Sequence, residues 1–340
     1  MNTLSPARIM EVGMAFWPAK VLLSAVELEL FTELGANSMT GRELQDVLRL
    51  HARANPDFFD TLVALRFLDR DGVGPESRYR NTEEAALFLD RRSPQFMGGF
   101  LEMANARLYR FWGDLTDALR TGSPQNEIKH TGAPVFDELY SRPERLEQFM
   151  DAMSGISAAN FQALANKFDF SRYRTVCDVG GATGLLSVLV ASKHPHLRCT
   201  SADLPAATRI AERKIATAGL ADRVSAKSLD FFGQPLPKAD VITMGMILHD
   251  WNLEKKMHLI RAAYDALPAG GAFVVVENLI DDARRENAFG LMMSLNMLIE
   301  FGDAFDFTAA DFFRWCREVG FSRTEVIPLA GPASAGVAYK

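Results

Sequence analysis

The chain has 340 residues, 48% of them hydrophobic, enough for one large or two ordinary cores. With 37 basic against 43 acidic residues the formal net charge is minus six, which argues against indiscriminate attraction to a nucleic-acid backbone or an anionic membrane. Cys177, Cys199 and Cys316 are few, odd in number and far apart, so neither a disulfide framework nor a zinc cluster is expected. The first residues lack a leader pattern and no apolar stretch reaches about 18 residues, so the expectation is a cytoplasmic chain that does not span a membrane.

In chain order, FWPAKVLLSAVELELFTEL carries apolar residues at helical spacing. Thr40 and Glu43 form a candidate capping box ahead of LQDVLRL, and a further helix, PDFFDTLVALRFL, follows Pro56. DRDGVGPESRYRN then has the turn signals of a hairpin. Helix, helix and hairpin together predict a winged-helix domain over residues 1–95. Residues 96–170 are again helical in pattern, rich in Phe, Met and Trp, and form a connector interrupted near TGSPQNEIKHTGAP. From 171 to 340 the pattern changes to short β-rich runs separated by helices: RTVCDVGG, LRCTSADL, RVSAKSLDF, ADVITMGMI and GAFVVVENLI. That alternation predicts an α/β domain with a parallel sheet covered on both faces, and TEVIPLAGPASAGVAYK adds an antiparallel hairpin at its end.

The segment DVGGATG, Asp178 to Gly184, lies where the first of these strands turns into a helix. Glycines there let the backbone approach a ligand, and helix amides face it. The dinucleotide fingerprint G-x-G-x-x-G fails, because Ala182 stands at the second glycine when counting from Gly180. A dehydrogenase is therefore disfavoured. An acidic residue two before the first glycine suits a ligand with an amino-bearing end. Asp203, ending the second strand, offers two oxygens to a pair of ribose hydroxyls, and Asp230 with Phe231 offers an acceptor and an apolar face to an adenine.

These residues resemble the S-adenosylmethionine-dependent methyltransferases of the Rossmann-like class, whose seven-stranded sheet ends in an antiparallel strand. The resemblance narrows to the small-molecule O-methyltransferases that include plant caffeate, bacterial hydroxy-polyketide and acetylserotonin enzymes. It spans nearly the whole chain through DVGGATG, ADLP, LDFF and LHDW. It implies S-adenosylmethionine as cofactor, held by Asp178, Gly180, Gly184, Asp203, Leu204, Asp230 and Phe231. The winged helix is implied to be a dimerisation domain, with the helix around Phe16 and Trp17 reaching a partner subunit. His249 of the HDW motif matches the general base, and Glu277 matches the glutamate that orients it. A second family carboxylate matches Asp306, with Asp303 the other candidate, so an aspartate replaces a longer glutamate. Gly245 stands where plant members carry a lysine that contacts the cofactor. Asp250 and Trp251 are expected to fix and pack the turn. A phenol with a pKa near 10 is not deprotonated outright by an imidazole near 6.5, but the ring can accept the proton as the oxygen attacks.

Trp112, Met150, Met153, Met293, Asn296 and Met297 are the expected acceptor lining, apolar and adaptable with one amide for orientation. Phe100 and Met103 are further connector candidates. The expected acceptor is a hydroxylated aromatic metabolite, and no metal is called for, since no ligand cluster has the sequence spacing of one. Two rivals remain. One is a relative with altered chemistry, methylating carbon or nitrogen or not methylating at all. The other is a DNA-binding regulator, which the single basic residue of PDFFDTLVALRFL, Arg66, disfavours.

Overall fold

The computed structural model describes residues 4–131 and 143–340 and divides into two compact units, Met1–Arg110 and Phe111–Lys340. The division falls inside the segment expected as a connector, and residues 132–142 of that segment lie outside the described residues.

In the first unit Thr40 caps the helix Gly41–Val47 through the complete reciprocal box with Glu43. The next helix, Asp57–Ala64, buries Phe59 and Leu62 completely. β2 (Leu68–Asp71) and β3 (Arg78–Asn81) pair antiparallel as the expected wing, and β1 (Met39–Thr40) pairs with the other edge of β3. Leu30, Phe31, Leu34, Leu44 and Tyr79 complete this core. The helices Ala7–Gly13 and Phe16–Glu27 are different. The first has no buried residue, and Ile9, Met10, Val12, Phe16 and Trp17 are all exposed. Against the expectation that no apolar stretch reaches about 18 residues, the 21 residues Ala7–Glu27 contain an 18-residue window of mean hydropathy 1.4, long and apolar enough for a membrane span by length and composition. The turn at Met14 and Ala15 nevertheless separates it into two helices.

The second unit is built on a seven-stranded sheet of order β6-β5-β4-β7-β8-β10-β9. β4 (Thr175–Val179), β5 (Arg198–Asp203), β6 (Val224–Ser228), β7 (Val241–Gly245) and β8 (Ala272–Glu277) run parallel. β10 (Ser334–Tyr339) is antiparallel to both β8 and β9 (Arg323–Pro328). This is the Rossmann-like sheet with its terminal hairpin. Side-chain alternation divides the central strands between two cores: Ile242, Met244, Phe273 and Val275 enter one, Val241, Val274 and Val276 the other. Both faces are therefore covered, and all six residues of β8 are buried. The chain goes from β4 outward to β5 and β6, then returns to β7 on the opposite side of β4. That reversal opens a crevice at the carboxyl ends of β4 and β7, the place where such sheets bind ligands.

Candidate active site

The turn after β4 has the backbone that a close ligand approach requires. Gly180 and Gly184 have φ of +72° and +79°. A Cβ on Gly180 would lie 2.3 Å from Ile247 Cδ1, and one on Gly181 would lie 2.3 Å from Ser201 Oγ. The loop is thus pressed against its neighbours by backbone alone, leaving its outer side as a cradle. Asp203 Oδ2 accepts the Ala182 amide at 2.9 Å, and Oδ1 accepts the Leu204 amide at 2.7 Å, so the end of β5 fixes the loop. Asp178 is buried and accepts from the Thr243 hydroxyl at 2.7 Å. Burial pushes its carboxyl up to about 7, opposed by the Thr243 bond and reinforced by Asp203. A cationic ligand group would offset that cost. Asp230 is exposed two residues beyond β6 and accepts the Phe232 amide at 3.0 Å. Phe231, Phe232 and Trp251 form an edge-on aromatic cluster, with centroids 4.9 Å and 4.7 Å apart for the pairs that include Phe232. Backbone that cannot admit a Cβ, a buried carboxyl and an aromatic wall fit a nucleoside carrying an amino acid.

His249 sits on the short turn Leu248–Asp250 just beyond β7, buried, ahead of the helix Leu253–Ala266 that Asn252 caps. Its Nδ1 lies 3.5 Å from Asp306 Oδ1, and its Nε2 lies 3.2 Å from Asp250 Oδ1. Glu277, the last residue of β8, accepts the Leu248 amide at 3.0 Å, and so holds the turn through its backbone. The ring of His249 nonetheless has Glu277 close by: one ligand-type atom from each of His249, Glu277 and Asp306 lies within 4.8 Å of the others. Three segments remote in sequence thus converge, which spacing along the chain does not reveal. Asp303 instead accepts from the Asn252 amide at 2.8 Å and braces the turn from outside, so Asp306 is the carboxylate at the ring. Burial alone would lower the proton affinity of His249, but Asp250, Glu277 and Asp306 outweigh it and push the ring up to about 10. Burial likewise raises Asp250 to about 6 and Glu277 to about 7, with His249 pulling both down.

On the acceptor side, Trp112 Nε1 donates to Asn296 Oδ1 at 2.9 Å, joining two of the expected lining residues. Met153 and Met293 are half-buried, whereas Met297 is buried and Met150 packs with Leu146, Ala207 and Ile210 in an interior cluster. The space beside Gly245 is filled: a Cβ there would meet Phe161 at 2.8 Å, so an aromatic ring takes the place that a longer residue at 245 would need. Sequence pattern did not single out Phe161, Phe232, Gly181 or the Ser154–Thr183 hydroxyl pair at 2.6 Å. Gly181 and Thr183 lie within DVGGATG and Phe232 within LDFF, whereas Phe161 and Ser154 depend on tertiary approach.

A doubly covered sheet of this strand order, with a glycine turn after β4 and acidic ends on β5 and β6, defines the class of S-adenosylmethionine-dependent methyltransferases. The family model of the O-methyltransferase domain matches residues 112–322, and the chain belongs to that family. It is 37% identical to the tetracenomycin polyketide synthesis 8-O-methyl transferase TcmO of Streptomyces glaucescens, over 98% of this chain and 97% of that one. It is 34% identical to the N,N-dimethyltransferase OxyT of Streptomyces rimosus, over 92% and 90%. Human N-acetylserotonin methyltransferase, solved in complex with S-adenosylmethionine, superposes with a TM-score of 0.91 at 27% identity, covering 100% of this chain and 99% of that one. The chain is an S-adenosylmethionine-dependent O-methyltransferase.

Proposed function

We propose that the chain methylates a hydroxyl of an apolar aromatic metabolite, with His249 as general base, Asp306 orienting its Nδ1 and Glu277 fixing the turn that carries it. The observation that carries this reading is the buried His249 held 3.5 Å from Asp306 at the carboxyl end of β7. S-adenosylmethionine supplies the methyl group as a sulfonium electrophile. Asp178 would bind its amino group, Gly180 and Gly184 would admit it, Asp203 and Leu204 would hold the ribose, and Asp230 and Phe231 the adenine. His249 would take the hydroxyl proton as that oxygen becomes acidic during attack, and Trp112, Met153, Met293 and Asn296 would align the ring. OxyT supports a second reading, methylation of nitrogen by the same scaffold. Methyl-labelled cofactor offered with matched panels of polycyclic phenols and aryl amines separates the two. Label in aryl ethers is expected; label confined to amines overturns the oxygen assignment.

The same proposal makes the protein a cytoplasmic homodimer. Its three thiols are free and buried, which suits a reducing compartment. Trp17 is 61% exposed and Ile9 74%, on helices that leave an apolar face uncovered. Light scattering should give twice the chain mass for the wild type and the single chain mass for Ile9→Asp with Trp17→Asp. A monomeric wild type, or one that pellets with vesicles, would refute this assignment of the face.

A further inference from the structure

The helix Ala288–Phe301 packs against the turn that carries His249 and against the helix Leu115–Thr121, which Trp112 precedes. Trp112 reaches Asn296 of that helix, and its indole Nε1 donates to Asn296 Oδ1 at 2.9 Å. An indole nitrogen can only donate, so the oxygen of the amide, and not its nitrogen, must face Trp112. That bond fixes which way round the amide sits. Its Nδ2, with two hydrogens to donate, points away from the indole, has no partner among the described residues and is not sealed from its surroundings. Other asparagines around this helix are used at both ends. Asn126 donates to the Glu300 carbonyl at 2.7 Å and accepts the Ile128 amide at 3.1 Å. Asn287 donates to the Leu279 carbonyl at 2.8 Å and accepts the Gly290 amide at 3.0 Å. Asn252 donates to Asp303 at 2.8 Å and accepts the Lys255 amide at 3.1 Å. Asn296, by contrast, leaves its donors unused.

The stretch around it offers a ligand little else that is polar. Within LMMSLNML the other polar side chain is Ser294, whose hydroxyl is taken by the Asp306 amide at 3.2 Å, and Met293 and Asn296 are both half-buried. A ligand that covers Nδ2 must therefore bring an atom that accepts. A hydrocarbon edge would strand the two donors, and an N–H would set donor against donor. We propose that the Trp112–Asn296 pair selects an aromatic acceptor that carries a carbonyl oxygen, a hydroxyaryl ketone or hydroxyquinone, with Asn296 Nδ2 donating to that oxygen while a hydroxyl elsewhere on the ring system is methylated. Asn296 determines the specificity, and Trp112 is the positioning residue that keeps its amide turned the right way. A carbonyl suits this place better than a second phenol, whose oxygen lone pair is partly delocalised into the ring. The inference rests on the reading of an apolar aromatic acceptor and adds which polar group that acceptor bears.

Binding, not turnover, tests this. The full chain saturated with S-adenosylhomocysteine is titrated with matched pairs of increasing ring number, each a hydroxyaryl ketone or quinone beside the same skeleton without its carbonyl oxygens. In the wild type the carbonyl member should bind about tenfold tighter or more. Asn296→Leu and Asn296→Asp, neither of which offers an amide donor, should abolish that ratio. Trp112→Phe keeps an aromatic ring but frees the amide to turn, so the ratio should shrink while matched aryl amines gain affinity. Comparing the ratio between wild type and variant cancels any effect of the carbonyl on the acidity of the hydroxyl. A merely structural role for the pair would weaken both members alike and leave the ratio standing, and that result overturns the proposal. Equal binding of the two members by the wild type also overturns it, and leaves the aromatic-acceptor reading intact. If no member of any pair binds, that reading falls and the proposal with it. Should the Asn296 variants fail to fold, the wild type and Trp112→Phe decide by the same ratio.

Discussion

Replacing His249 with alanine is expected to lower turnover by roughly 10²- to 10⁴-fold while S-adenosylhomocysteine binds as it does to the wild type. The separation follows from position. His249 lies beyond β7, whereas the cradle is formed by the turn after β4 and the ends of β5 and β6. Calorimetry with S-adenosylhomocysteine, with NAD as the control ligand, measures the second quantity without an acceptor. The pH dependence gives an independent check. Asp250, Glu277 and Asp306 overcome the opposing effect of burial and raise His249 from 6.5 to about 10, so turnover should rise with pH from neutrality toward that value and lose this dependence in His249→Ala. The sign for folding is opposite. A ring that holds its proton more tightly when folded contributes stability that is complete below 6.5 and is lost as pH rises through about 10. Raised carboxyls at Asp178, Asp250 and Glu277 act in the same direction at lower pH, between roughly 4 and 7. Activity should therefore increase where thermal stability declines. Equal turnover by His249→Ala, or a flat profile in the wild type, would remove His249 as the base.

Much of this was legible in the sequence because it is written locally. The capping box at Thr40, the wing, the glycine turn after the first parallel strand and the terminal hairpin each depend on residues a few positions apart. Asp203, His249 and Glu277 stand out because in each case a polar residue follows an apolar run. What stayed hidden depends on long-range approach. Asp306 is the better match in the sequence, but Asp303 is only three residues away in the same loop, and packing is what sends one to the ring and the other to Asn252. Lys256 reads as one more charge on an amphipathic helix, next to Lys255, until the fold buries it. Glu277 lies close to the His249 ring and also accepts the backbone amide of Leu248, a second bond no pattern encodes. Met150 has the composition of a ligand contact but packs into an interior cluster, since helical spacing does not say which face is covered.

Gly180→Ala should reduce affinity for S-adenosylhomocysteine by about a hundredfold, and the loss should divide into two parts. One is backbone strain. At φ +72° an alanine is forced into the left-handed region, at a cost of roughly 1–2 kcal/mol. The other is steric, because the new Cβ would lie 2.3 Å from Ile247 Cδ1 and 2.8 Å from Cγ1, and Ile247 is two residues from His249. Displacing that side chain should also disturb the turn, so turnover should fall by more than the loss of affinity explains. Removing the obstructing atoms with Ile247→Ala in the same chain relieves only the second part, and about tenfold of the affinity should return. Gly184→Ala provides the contrast. Its φ is +79°, so the strain is similar, but its Cβ would meet Ile215 at 3.2 Å, a contact that a small shift absorbs. It should therefore behave like the double variant and not like Gly180→Ala. Complete rescue by Ile247→Ala would mean that the backbone conformation costs nothing. No rescue would mean that the loop is held open by strain alone, and that its coupling to the His249 turn does not run through Ile247.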